Sequence, residues 1–194
     1  MIRILSFFAV ILVCISPAIA REAVSTDPPV AAKVVERTAP RLMFPRIDGA
    51  GGVFALSAEM PDRIAMHKLV IDAAMGETTT TGTNRRLDSA ARAVNLYALA
   101  GIAPEHAKIA VMVHGKATAA ILSDDTFKQK FGTTNPNSAL LAQLNRAGVE
   151  IYICGQSLVH QGYTPTDVHP DVRVSLSAMT KLVELQAAGY ALIP

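Results

Sequence analysis

The sequence has no tryptophan, only four tyrosines and six phenylalanines, and no block of like charge. Few aromatics leave no stacking platform for bases or sugars. A formal net charge of +2, with no Lys/Arg stripe, gives no footprint for nucleic acid. There is no G-x-S-x-G elbow for a Ser-His-Asp hydrolase. Nor is there a long apolar run: the longest, Ile4 to Ile15 broken by Ser6, is too short for a stop-transfer helix. It follows Arg3 and precedes Pro17 and Ala18-Ile19-Ala20. That order predicts a secretory signal peptide over residues 1–20, cut before Arg21, and a periplasmic or secreted protein with no membrane attachment after cleavage.

Cysteine is scarce in a way that matters. There are two, Cys14 and Cys154. Removal of the signal peptide leaves Cys154 alone, so no internal disulfide and no dithiol redox pair can form. In an oxidising compartment a lone cysteine is a buried hydrophobe, an intermolecular cross-link or a reactive thiol. No C-x-x-C or H-x-x-x-H spacing joins it to His160 or His169, so neither a metal nor a cofactor is expected.

What is present reads as one globular domain: 51% of residues are apolar and 18% charged. Residues 21–60 carry Pro28, Pro29, Pro40 and Pro45 with Gly49, Gly51 and Gly52. They predict an extended arm with little regular structure. Gly49-Ala50-Gly51 is not a dinucleotide loop, because Phe54 stands where the third glycine belongs and no strand precedes it. The folded domain is expected over residues 61–194. Apolar runs at 67–72, 108–113, 149–153, 172–176 and 190–193 read as strands. Between the first two, Asn84 can cap a helix to about Ala100, whose Leu87, Ala91, Val94 and Ala98 share one face. Shorter helical stretches are expected over 116–122 and 124–130. A further helix, capped by Asn137 or Ser138, carries Leu140, Leu141 and Leu144. Another is capped by Ser177. Ala100-Gly101, Ala147-Gly148 and Ala188-Gly189 each end a helix and are followed by an apolar residue and, soon or at once, a strand. Repeated helix–Gly–strand units, with strands apolar throughout, predict an α/β fold with a parallel sheet covered on both faces.

Ligands of open parallel sheets bind beyond the carboxyl ends of the strands. Asp72, His114 and Cys154 fall there, with Gly115 and Gly155 next in sequence. A helical turn starting near Gln156 and Ser157 would set a Cys154 thiol at a helix N-terminus, which favours thiolate. Arg92 and Asn95, three residues apart on the first helix, could reach the same rim or simply face solvent. Each of these groups also has a plain structural reading, as a packed cysteine, a strand-end histidine or a capping carboxylate.

The segments Ala110-Val-Met-Val-His-Gly-Lys-Ala117, Asn135-Pro-Asn137, Gly148-Val-Glu-Ile-Tyr-Ile-Cys-Gly-Gln-Ser-Leu158 and Ser175-Leu-Ser-Ala178, with Leu185-Gln186 before Gly189-Tyr190, resemble the DsrE/DsrF-like, sulfur-relay-like family. With Pro45-Arg-Ile-Asp-Gly49 and Pro61 the match is to its exported branch. The resemblance implies a three-layer α/β/α fold with a five-stranded parallel sheet and a homo-oligomer, trimer or hexamer. It also implies a persulfide carried on Cys154, with His114 beside it, exchanged with a sulfur donor or acceptor protein. Gly115, Gly155, Gln156, Ser157, Asp72 and Asn95 are the candidate binding residues around them. The sequence leaves open whether the protein is an enzyme. The alternative is a non-enzymatic oligomeric module that binds a small ligand and keeps Cys154 for packing.

Overall fold

The computed structural model describes residues 40–75 and 81–194. The expected signal peptide and the first part of the arm lie outside the described residues. Within the arm, β1 (Leu42–Met43) pairs antiparallel with β2 (Val53–Phe54), so it holds a short element of its own. The domain then alternates. β3 (His67–Ala73) leads to α1 (Arg85–Leu99), and β4 (Ala107–Val113) to a 3₁₀ run (Gly115–Ile121), α2 (Asp124–Phe131) and α3 (Ser138–Arg146). β5 (Glu150–Cys154) runs directly into α4 (Gly155–His160). Next come β6 (Arg173–Ser175), α5 (Ala178–Ala187) and β7 (Ala191–Ile193).

The five strands β3–β7 form one sheet in the order β6-β5-β4-β3-β7, every pairing parallel. Alternate residues point to opposite faces. Ile71, Val111, Val113, Ile151 and Ile153 pack under α1 and α3 with Leu87, Ala91, Leu141 and Leu144. Val70, Ala110, Met112 and Cys154 pack under α5 with Ala178 and Leu185. Both faces are therefore apolar, as a sheet with helices on each side requires. Each large side chain taken fully out of water contributes roughly 1.5–3 kcal/mol before the entropy of ordering it.

Three helices close on a glycine. Gly101, Gly148 and Gly189 take φ of 73°, 84° and 87°. The next residue in each case, Ile102, Val149 or Tyr190, donates its N–H back to Tyr97, Leu144 or Leu185. Tyr190 is thus spent on closing α5, and β7 begins one residue later than the sequence suggests. β6 is also shorter than the expected 172–176. Val172 N–H turns back to the His169 carbonyl, and Leu176 leaves the ladder for solvent.

Asn84 caps α1 as expected, accepting from the N–H of Arg86 and Leu87. Ser177 caps α5 by accepting from Thr180 N–H. Asn137 precedes α3 but its side chain does not cap it. Its Oδ1 accepts the Asn84 N–H at 2.7 Å and its Nδ2 donates to Asn135 Oδ1 at 3.0 Å. Asn135 in turn donates to the carbonyls of Ala120 and Leu122. This buried chain of amides locks the start of α1 to the loop before α3, and so fixes the connection that leaves β4.

Candidate functional site

Cys154 is the last residue of β5 and is 5% exposed. It lies on the α5 face of the sheet. The groups that act on its thiol are the Ser157 hydroxyl and the backbone N–H groups of Ser157, Ala178 and Gln156. Burial pushes the thiol up. The Ser157 hydroxyl and the three N–H groups pull it down, and together they prevail, leaving Cys154 below the ordinary thiol value. Of the three N–H groups, two belong to the first turn of α4 and one to the first residue of α5, so the starts of two helices face one thiol.

Gly155 makes this approach possible. A Cβ there would meet the Ser175 carbonyl oxygen at 2.9 Å and the Leu176 oxygen at 3.4 Å. A side chain would push the β6–α5 connection, and with it the Ala178 N–H, away from the thiol.

His114 follows β4 and sits beside Cys154, because Val113 is the register partner of Ile153. Its parity with Met112 and that of Asp72 with Val70 put both on the α5 face as well. His114 Nε2 lies 2.6 Å from Asp72 Oδ1. A carboxylate only accepts, so Nε2 carries the proton and Nδ1 is the ring's remaining atom for a ligand. The histidine therefore leans towards β3, away from β5. The groups that bias the thiol are those of α4 and α5, where the sequence offered His114 as the neighbour.

The thiol and the histidine loop meet at Ser157. Its Oγ accepts the Gly115 N–H at 3.1 Å while its hydroxyl serves Cys154. Gly115 is held at φ 56°, a conformation that strains any other residue, and its carbonyl accepts from Gln161 Nε2 at 2.7 Å. Gln156 contributes its backbone N–H; its side chain reaches the Leu176 carbonyl at 3.4 Å.

Asn95 is elsewhere. It is fully buried, and it accepts from the N–H of Arg46 and Ile47 and donates to the carbonyls of Ile47, Ala50 and Gly51. Its polarity is used up in holding the arm to α1, so it does not line the thiol site. Arg92, its neighbour on α1, pairs with Asp88 at 3.0 Å on the surface. Among the described residues no group of three or more His, Cys, Asp or Glu side chains is placed to hold a metal, and no helix is long and apolar enough to cross a membrane.

The model of the DsrE/DsrF-like family matches residues 66–194. The chain belongs to the DsrE/DsrF-like family. Among solved structures it is similar to MTH1491 of Methanobacterium thermoautotrophicum, a protein of unknown function. Identity there is 21% and the TM-score 0.50, with 66% of this chain and 97% of that one covered. It is also similar to the ychN protein of E. coli, at 16% identity and a TM-score of 0.44, again covering 66% and 97%. The first likeness concerns the fold. No curated protein matches.

Two site residues of this DsrE/DsrF-like chain escaped the sequence reading: Ala178 and Gln161. Ala178 contributes only its N–H. The signal for it was the Ser177 cap, which marks a helix start whose first amides have no partner within the helix. Gln161 lies past the end of α4 and gave no signal.

Proposed function

We propose that this protein handles sulfane sulfur through Cys154. The observation that carries the reading is the place of Cys154, where β5 runs straight into α4, with the Ser157 hydroxyl and the N–H groups at the starts of α4 and α5 holding its thiol below the ordinary value. Donors around a sulfur favour a sulfur anion, and a packing cysteine has no need of them. The Cys154 thiolate attacks the outer sulfur of a persulfide or polysulfide donor. The donor's S–S bond breaks, its remaining thiolate leaves with the electron pair, and a Cys154 persulfide forms. An acceptor thiolate later takes that outer sulfur in the same way, with no net oxidation. The N–H groups of Ser157, Ala178 and Gln156 stabilise the anion. His114, oriented by Asp72, presents the lone pair of Nδ1, which accepts from the S–H of a persulfide donor.

The test is intact-protein mass spectrometry after incubation with polysulfide. One or more added sulfurs on native protein are expected, and none on Cys154→Ser. Equal labelling of the variant, or no labelling of native protein, overturns the reading. The 5% exposure favours the rival, a cysteine kept only for packing, and predicts that second outcome.

As part of the same proposal, the protein works outside the cytoplasm and in an assembly of its own copies. Support for assembly is the apolar outer side of α5, where Met179 and Val183 lie open to solvent beside Leu176. Sedimentation of the full chain at micromolar concentration is expected to give more than one copy. A monomer removes this part of the reading.

A further inference from the structure

The end of the sheet away from Cys154 carries a second concentration of charge. Lys68 of β3 and Lys108 of β4 are register partners on neighbouring parallel strands. Their Cα atoms therefore stand about 5 Å apart. They share the parity of Val70 and Ala110, which places both on the α5 face, just below the buried row. Lys68 Nζ donates to the Ala188 carbonyl at the end of α5 at 3.0 Å, which holds it on that face. A cavity of about 510 Å³ opens at this rim, lined by Lys68, Lys108, Gly148, Glu150, Arg173 and Tyr190.

The charges there do not balance. Arg173 pairs with Glu150 at 2.9 Å, which cancels those two. Lys181, the nearby cation of α5, pairs with Glu184 at 2.8 Å. Lys68 and Lys108 are left with no carboxylate partner among the described residues. The cavity alone thus holds a net +2 (three cations less one carboxylate), as much as the formal charge of the whole chain. Like charges directly opposite one another on adjacent strands weaken a sheet. An anion between them removes that cost. Lys68 keeps two of its three N–H donors beyond the bond to Ala188, Lys108 keeps all three, and the Tyr190 hydroxyl adds another.

We infer that this rim is a binding site for a compact oxyanion carrying two negative charges, phosphate or sulfate in type. Lysine ammonium groups bind such anions as point charges. Glu150, held by Arg173, turns away a second, more extended acidic group. This inference stands independently of the thiol chemistry at the opposite end of the strands.

The experiment uses the full chain, followed by the backbone amide resonances of Lys68, Lys108 and Gly148 during titration with inorganic phosphate and, separately, sulfate. Sodium chloride at matched ionic strength is the reference. Saturable shifts in the low millimolar range are expected with phosphate or sulfate and not with chloride. The affinity should fall at least tenfold in Lys108→Gln and further in Lys68→Gln/Lys108→Gln. Both positions are on an accessible rim, so the variants keep the fold. Shifts that chloride reproduces, or that persist undiminished in the double variant, overturn the inference. So do shifts centred on Cys154 and Gly155, which would put the anion at the thiol instead.

Discussion

Ser157→Ala is expected to slow alkylation of Cys154 by iodoacetamide roughly tenfold or more near neutral pH, and to move the rate–pH profile to higher pH. The reacting species is the thiolate. In the native protein burial disfavours that anion, and the Ser157 hydroxyl heads the donors that offset burial. A hydrogen bond to a charged group contributes about 1.5–3 kcal/mol, and each 1.4 kcal/mol is tenfold in an equilibrium. Removing the hydroxyl leaves the burial in place and takes away one of the four groups that offset it. The Gly115 N–H also loses its acceptor at 3.1 Å, so some of the effect comes through the loop after His114. Ser157→Thr keeps the hydroxyl and should restore the profile. Unchanged rates in Ser157→Ala would mean that the hydroxyl does not act on the thiol.

The same groups make stability depend on pH. The native Cys154 thiol lies below its ordinary value, so the folded state releases its proton at lower pH than the unfolded chain. Its contribution to stability is therefore complete above the ordinary thiol value and is lost as pH falls through the native one. The increment should shrink in Ser157→Ala.

Much of this was legible in the residues. The helix–Gly–strand units at Gly101, Gly148 and Gly189 announced a parallel sheet, because a glycine past a helix end and a continuous apolar run are both local signals. Cys154, His114 and Asp72 at strand ends could be placed by counting along β3, β4 and β5. The partners of those residues could not. Whether His114 turns to Asp72 or to Cys154 depends on a rotamer, and both lie one strand away. Ala178 acts through its backbone, which side-chain identity does not reveal. Asn95 misled for a related reason: a polar residue beside the apolar stripe of a helix reads as solvated until the arm that covers it is known.

That covering arm makes Asn95→Ala the change with the largest expected effect on stability. The Asn95 side chain is fully buried, and it satisfies the N–H of Arg46 at 2.9 Å and of Ile47 at 2.8 Å with one oxygen. Its amide nitrogen serves the carbonyls of Ile47, Ala50 and Gly51 at 3.0–3.2 Å. No water replaces these contacts without opening the turn, since Ile47 is 1% exposed and Gly51 approaches α1 too closely for any Cβ. Each buried backbone group left unsatisfied costs about 1–3 kcal/mol. The variant should therefore lose roughly 3 kcal/mol or more in denaturant unfolding, and should become cleavable by protease between Arg46 and Gly51. Asn95→Asp should fare no better, because it brings a carboxylate against three carbonyl oxygens. Arg92→Ala, one turn away and exposed, should stay within about 0.5 kcal/mol of the parent. Equal stability in Asn95→Ala and Arg92→Ala would show that the arm is held by Ile47 and its apolar neighbours alone. Since Asn95 contacts the arm and not the thiol, the alkylation rate of Cys154 in folded Asn95→Ala protein should match the parent. A change in that rate would mean that the arm bears on the site through α1.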